Sequence, residues 1–318
     1  MSTETSDAAR REYSAWRETV WAEEPEVLHA RFNLRQWILA GAALTAVAYI
    51  GLLFARGQID WATTYEYLFN PLILDGITAT VFMTALSLAL GLVLGVVFGV
   101  MRLSTNSVLA AVAWGYVWVF RGTPVLVQLL LWYNLALILP SIWLPLVGTQ
   151  DTVTLMTPLV TVLLGLSINE GAYLAEVIRS GIVSVHRGQE EAGAALGMSR
   201  TRIMRTVVLP QAMPAILPNL GNSANGLLKM SSLASVVSYP ELVNRAQSIY
   251  FANGRVMELL MVVAFWYLMA TSAMSVGQYY LERHFGRGTT DRRSGIVRRL
   301  STGSARLGMA GKHIGGPA

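Results

Sequence analysis

Apolar residues fall in long blocks separated by short polar runs. Six blocks are long enough to cross a bilayer, at 37–54, 72–101, 124–139, 153–168, 207–228 and 257–279, since a spanning helix takes about 17 to 25 residues. A seventh apolar run, 108–120, cannot join the block at 124, because the combined helix would approach 45 to 50 Å at 1.5 Å per residue. It reads as a shallow or interfacial helix. Gly122-Thr123-Pro124 is then the break, with Thr123 as N-cap and Pro124 at the first helical position. The chain is expected to be an all-α integral membrane protein of about six spans.

Composition agrees: 53% of residues are hydrophobic and 14% charged, outside the soluble range. Cysteine is absent and the four histidines are scattered, which offers neither disulfides nor a metal-ligand spacing. Although the net charge is +5, the arginines sit in tails and short loops, so nucleic acid is not the partner they indicate. They set orientation instead. In a six-span arrangement the N-terminal segment 1–36, Arg102, the group Arg179, Arg187, Arg200, Arg202 and Arg205, and the tail 286–318 fall on one side. That side is cytoplasmic, and both termini lie there. Only Arg56, Arg245 and Arg255 fall opposite. The N-terminal segment mixes acidic and basic residues without an apolar core, unlike a cleaved signal peptide. The tail, rich in Gly, Ser, Thr and Arg, is expected to be disordered.

The polar loop 186–205 carries the most informative pattern. Residues 188–196 favour helix apart from Gly193, Gly197 is placed to end it in the left-handed conformation, and Ser199 is placed to cap the next helix. Two turns of helix do not hold together alone in water. Such a helix needs a partner surface or its own protein to pack on. Three prolines, Pro210, Pro214 and Pro218, then share one face of the following span and remove donors along it; that face is expected to look inward with the helix bent or locally unwound. Residues 240–251 form an amphipathic external segment.

Read together, FRGTPVLVQ (120–128), NEGAYLAEVIRSGI (169–182), EEAGAALG (190–197), VVLPQAMPAILP (207–218) and LLKMSSLASV (227–236) resemble the membrane subunit of bacterial ATP-binding cassette importers of the polar amino acid type. The resemblance implies a type I permease core of five spans, here 71–285, with 37–55 as an added first span in the bacterial inner membrane. It further implies partners: a second permease subunit, cytoplasmic ATPases that hold ATP and Mg, and an external solute-binding protein. The loop becomes a coupling helix carried by Glu190, Glu191, Ala192, Gly193, Gly197 and Pro210. Gly193 stands where the family has alanine, and Met230 where an acidic or amide residue follows the lysine.

No phosphate-binding loop is present, because only Lys229 and Lys312 are available and neither has the glycine spacing. The chain therefore carries no catalytic residues or cofactor of its own. Candidates for the substrate pathway are the polar residues within or beside spans: Asn169, Glu170, Arg121, Lys229, Ser231 and Ser232. For Asn169 and Glu170, helix-to-helix hydrogen bonding competes with a cavity role. Arg121 reads alternatively as an interfacial anchor, and Glu176 is expected to pair with Arg179. The opposing functional reading is a gradient-driven carrier or channel with Glu170 as its ion or proton site.

Overall fold

The protein is seen here in a computed structural model that describes residues 34–57, 59–145 and 147–285. The segment before residue 34 and the basic tail from 286, with what the sequence suggests for them, lie outside the described residues. Two compact units meet between residues 59 and 60.

The first unit contains α1 (Leu34–Arg56). Every side chain described in it, from Trp37 on, is exposed, and apolar residues lie on all sides, as a lipid-facing helix requires.

The second unit opens with α2 (Trp61–Leu68), capped by Asp60, whose carboxylate accepts from the Thr63 amide and hydroxyl at 3.2 and 2.8 Å. Next comes α3 (Pro71–Arg102), with Asn70 as cap and a proline in its first turn. A glycine series along α3 sets how closely its neighbour can approach. A Cβ on Gly95 would lie 2.6 Å from Leu174 Cβ, and one on Gly91 or Gly99 would meet Glu170 or the Ala175 carbonyl at 3.2 and 3.0 Å. The neighbour is α7 (Pro158–Val183), whose Gly171 in turn admits Leu94 and Tyr116. Small residues four apart let two backbones touch where lipid supplies no hydrophobic drive.

Between these helices the chain departs from the sequence reading. Helices α4 (Ser107–Gly122) and α5 (Val125–Tyr133) bend by 100° at Thr123-Pro124. The break stands where expected, but Pro124 occupies the capping position, and no side chain caps α5. Thr123 instead donates its hydroxyl to the Val119 carbonyl at 2.8 Å. Nor does the helix reach residue 139. At nine residues α5 is about 14 Å long, too short to span alone, and Leu135–Leu137 forms a tight 3-10 turn after it. A two-stranded antiparallel hairpin follows, β1 (Ser141–Leu144) with β2 (Gly148–Asp151), in register Trp143 to Thr149. It is the one departure from an all-helical chain among the described residues. Gly148 sits at φ +79°, the left-handed region that glycine enters without strain.

The block at 153 also resolves differently. A single turn, α6 (Thr152–Leu155), is followed by Thr157 capping α7. Asn169 and Glu170 thus sit in the middle of a 26-residue helix and not beyond its end.

After the loop helix α8 (Arg187–Ala195) and the short α9 (Arg200–Ile203), residues Met204–Val208 form a wide π turn leading into α10 (Leu209–Met230). The Leu209 amide reaches back to the Met204 carbonyl. Pro210 has no amide proton and its ring crowds the preceding turn, and a widened turn relieves that crowding. Pro214 and Pro218 are accommodated inside α10 itself. A 3-10 segment, Ser231–Val237, ends at Ser238 with φ 60°.

The amphipathic segment 240–251 falls mostly within α11 (Leu242–Asn253). Its apolar face is not laid on lipid. Leu242, Ala246 and Ile249 are buried against Ile73 of α3 and Leu259 and Val262 of α12 (Val256–Phe285). Four of the described helices, α1, α3, α7 and α12, are long and apolar enough to cross a membrane, or five spans in all if α4 and α5 form one broken span. The α10 helix does not meet that apolarity.

Candidate functional site: a loop helix, a stapled break and a polar face

Helix α8 is held from both ends. At its start, the Gly188 amide donates to His186 Nδ1 at 3.1 Å, and Glu190 places negative charge in the first turn, where the exposed amides favour it. At its end, the Met198 amide donates to the Gly193 carbonyl at 3.1 Å and the Gly197 amide to the Ala194 carbonyl at 2.9 Å. With Gly197 at φ +74°, this is the double-bonded glycine stop of a Schellman motif. Ser199 begins α9 without a side-chain capping bond.

One face of α8 meets the protein through Gly193, which is buried; Glu190, Glu191, Ala192, Ala194 and Ala195 are exposed. Leu196 is 82% exposed at the tip, a residue sequence reasoning passed over. Its signal was a lone large apolar side chain among small ones, just before the glycine stop. His186 was missed too, because histidine is an uncommon cap. Pro210 lies exposed just past the π turn.

Around the α4 to α5 break the polar residues have structural partners. The Phe120 carbonyl would normally accept from residue 124, but Pro124 has no amide proton. Two side chains take its place: Asn169 donates to the Phe120 carbonyl at 2.7 Å, and Gln128 donates to the same oxygen at 3.0 Å. Gln128 also reaches the Thr123 carbonyl and hydroxyl at 3.1 and 2.8 Å. Asn169 and Gln128 are 3% and 5% exposed. Buried backbone acceptors need such partners, so Asn169 fixes the break.

Glu170, beside it, is 2% exposed. Its Oε1 has no hydrogen-bond partner and no ion pair involves it among the described residues. Its polar neighbour is Ser223 of α10.

Arg121 is exposed, with its guanidinium 5.0 Å from the centre of the Tyr173 ring. It lines an open cleft of about 420 Å³ with Arg102, Trp114, Trp118 and Glu176. Glu176 takes two bonds from Arg179 Nε at 3.1 Å each, which is the expected pair, and Arg102 approaches it at 3.9 Å.

Ser231 is fully buried and donates to the Leu228 carbonyl at 2.6 Å, while Ser232 donates to the Lys229 carbonyl at 2.9 Å. Both hydroxyls therefore finish α10. The Lys229 side chain, by contrast, is exposed and makes no hydrogen bond or ion pair among the described residues. The candidate pathway residues do not form one cluster: Asn169 adjoins the backbone of the Arg121 segment, Glu170 lies on α7 facing α3 and α10, and Lys229, Ser231 and Ser232 occupy the far end of α10.

Where α11 begins, Glu241 is fully buried and caps the helix, accepting from the Val243 and Asn244 amides at 2.9 and 2.8 Å and from the Tyr267 hydroxyl at 3.0 Å. Burial pushes its carboxyl up to about 7, and the bonds it accepts oppose that shift. Near the start of α12, Arg255 bridges Asp60 and Glu258 at 3.6 and 3.7 Å. The Thr63 hydroxyl and amide hold Asp60 below the usual carboxylate range.

Residues 88–287 match the family model of the binding-protein-dependent transport system inner membrane component. The chain is 40% identical over 257 residues to the arginine transport system permease protein ArgU of Corynebacterium glutamicum, covering 80% of this chain and 81% of that relative. It is 35% identical over 226 residues to the glutamine transport system permease protein GlnP of Escherichia coli, covering 71% and 97%. Among solved structures, an amino acid ABC transporter crystallised with histidines matches with TM-score 0.62 and 33% identity, over 72% of this chain and all of that one. The MetNI methionine ABC transporter shares the fold at 18% identity and TM-score 0.55. A family model matched over more than half the chain and relatives aligned over most of it lead to one conclusion: this chain belongs to the family of inner membrane components of binding-protein-dependent transport systems.

Proposed function

We propose that this chain is the permease subunit of an ATP-driven importer for amino acids or related small zwitterions. It performs no covalent chemistry. ATP and Mg are bound by separate ATPase subunits, and substrate is delivered by an external solute-binding protein. A second permease subunit completes the membrane part. The proposed topology has six spans in the inner membrane with both termini cytoplasmic: α1, α3, the broken pair α4 and α5, α7, α10 and α12. The positive-inside distribution of arginine supports it.

The observation that carries the reading is α8. Two turns of helix are capped by His186, stopped by Gly197 and seated through one glycine, and their carboxylates and Leu196 are left uncovered. That is the form of a rigid contact for another protein. Closure of the ATPase dimer around ATP would draw two such helices together and tip the membrane helices from inward-facing to outward-facing. Relatives that carry arginine, glutamine and glutamate or aspartate in their names support the substrate class. They give no support to a gradient-driven carrier built on Glu170. Glu170 and Lys229 are the proposed substrate contacts, at separate points of the path; Asn169 and Arg121 border it at the α4 to α5 break, and Ser231 and Ser232 at the end of α10.

Reconstitution of the complete complex in proteoliposomes tests the reading. Uptake of a labelled amino acid is expected only with the binding protein outside, the ATPase subunits present and ATP on their side. Uptake that persists without ATP overturns it.

A further inference from the structure

Helix α10 has 22 residues, about 33 Å at 1.5 Å per residue, enough to cross the apolar core. Yet it is absent from the helices apolar enough to span by composition. Besides its prolines, Ser223 and Asn225, one polar stripe lowers its apolarity. At about 100° per residue, Gln211, Asn219, Asn222 and Lys229 lie within an arc of about 80°. Ala215 and Gly226 fall in the same arc. The four polar residues and Ala215 are exposed, and a Cβ on Gly226 would meet nothing within 4 Å. The opposite arc is buried: Ala212, Ile216, Leu217, Ala224, Leu227 and Leu228.

Hydrocarbon gives an amide or ammonium group no partner. Gln211 and Asn219 return their amide nitrogens to the Val207 and Ala215 carbonyls at 2.9 Å each. Asn222 and Lys229 have no side-chain partner among the described residues. Lipid cannot cover this face.

We infer that the stripe is one wall of the water-filled path along which the substrate moves, an inference that rests on the transport function proposed above. Its chemistry suits a zwitterion. Neutral amides hydrogen-bond to both a carboxylate and an ammonium group, so neither end is held by a fixed charge along the way. The small residues between them leave width. Lys229, at one end, supplies the single cation of the stripe, where a carboxylate arrives or leaves.

The chain has no cysteine, so single thiols can be placed without removing any from it. Asn219→Cys and Asn222→Cys would be made in the full complex in proteoliposomes, with Val96→Cys and Leu268→Cys as controls at exposed apolar positions. A small cationic methanethiosulfonate is then applied and labelling of this chain followed by mass. The two stripe thiols are expected to react at least about tenfold faster than the controls, in line with the cost of bringing charge into hydrocarbon, and saturating amino acid should slow them. Labelling as slow as the controls overturns the inference. So does efficient oxidative cross-linking of Asn222→Cys to the second permease subunit with no labelling, which would make the stripe a packed subunit interface. Fast labelling together with ATP-independent uptake would leave the wall standing and remove the ATP-driven function.

Discussion

Gly193 and Ile203 touch where no side chain fits between them: a Cβ on Gly193 would stand 2.9 Å from Ile203 Cγ1. Glycine inside a helix costs about 1 kcal/mol against alanine, and at this position that cost is what seats α8 on the protein. Ile203 is β-branched and nearly buried, so it cannot swing aside easily. Gly193→Ala is expected to gain up to about 1 kcal/mol of helix propensity and lose about 1 to 3 kcal/mol by overpacking. Uptake and thermal stability should both fall. In an Ile203→Ala background the same change should be neutral or stabilising, and a melting-temperature cycle of the four variants reads the coupling directly.

Glu191 lies on the exposed face of α8 and makes no hydrogen bond or ion pair among the described residues. Glu191→Lys should therefore leave insertion and melting temperature unchanged, with surface substitutions usually within about 0.5 kcal/mol. It should instead uncouple ATP hydrolysis from uptake in proteoliposomes. Full uptake by this variant would count against docking through α8.

The Phe120 carbonyl, orphaned by Pro124, is shared by Asn169 and Gln128. Removing one amide leaves the other on that oxygen, so each single change should cost about 0.5 to 1.5 kcal/mol, and only the double change leaves a buried acceptor unmet, at about 1 to 3 kcal/mol more. Because the two serve one oxygen and also contact each other at 3.3 Å, Asn169→Ala and Gln128→Ala are not expected to add. A double-mutant cycle on thermal unfolding of the purified complex should return a coupling of about 0.5 kcal/mol or more; strict additivity would refute the shared staple.

Glu241 gives a pH signature. Its carboxyl titrates at about 7 in the fold, above the usual value of about 4.3, so the folded state holds the proton more tightly than the unfolded chain. The stabilisation this provides is complete below the unfolded value and is lost as pH rises through about 7. Melting temperature should accordingly decline between about pH 5 and pH 8. Glu241→Gln, which keeps an acceptor oxygen for the α11 cap, should flatten that decline. An unchanged slope would show that another group sets it.

The apolar blocks placed α1, α3 and α12 to within three or so residues at most ends, because one long run of hydrophobic residues has only one stable form in lipid. The loop helix was legible for a related reason. Helix formers bounded by a glycine that must turn left-handed are local signals, and local geometry realised them at Gly197. Glu176 and Arg179 paired because three residues along a helix bring them together whatever surrounds it.

What the sequence could not settle was anything whose partner is distant along the chain. For Asn169 a cavity role and helix-to-helix bonding stood side by side until the fold brought it within 2.7 Å of a carbonyl 49 positions away on another helix, which is the bonding alternative. Gly193 read as a helix weakness until Ile203 arrived against it. The apolar block after Pro124 gave no warning that it would stop at Tyr133 and turn into a hairpin, since a short apolar run suits helix and strand equally. The polar face of α10 was written in the sequence as spacing, but only packing of the opposite face against the rest of the unit decided that these residues, and not their neighbours, would remain uncovered. Period and composition are properties of a segment and survive without the rest of the protein; satisfaction of a donor, a carbonyl or a missing Cβ is a property of two segments, and tertiary structure alone supplies the second.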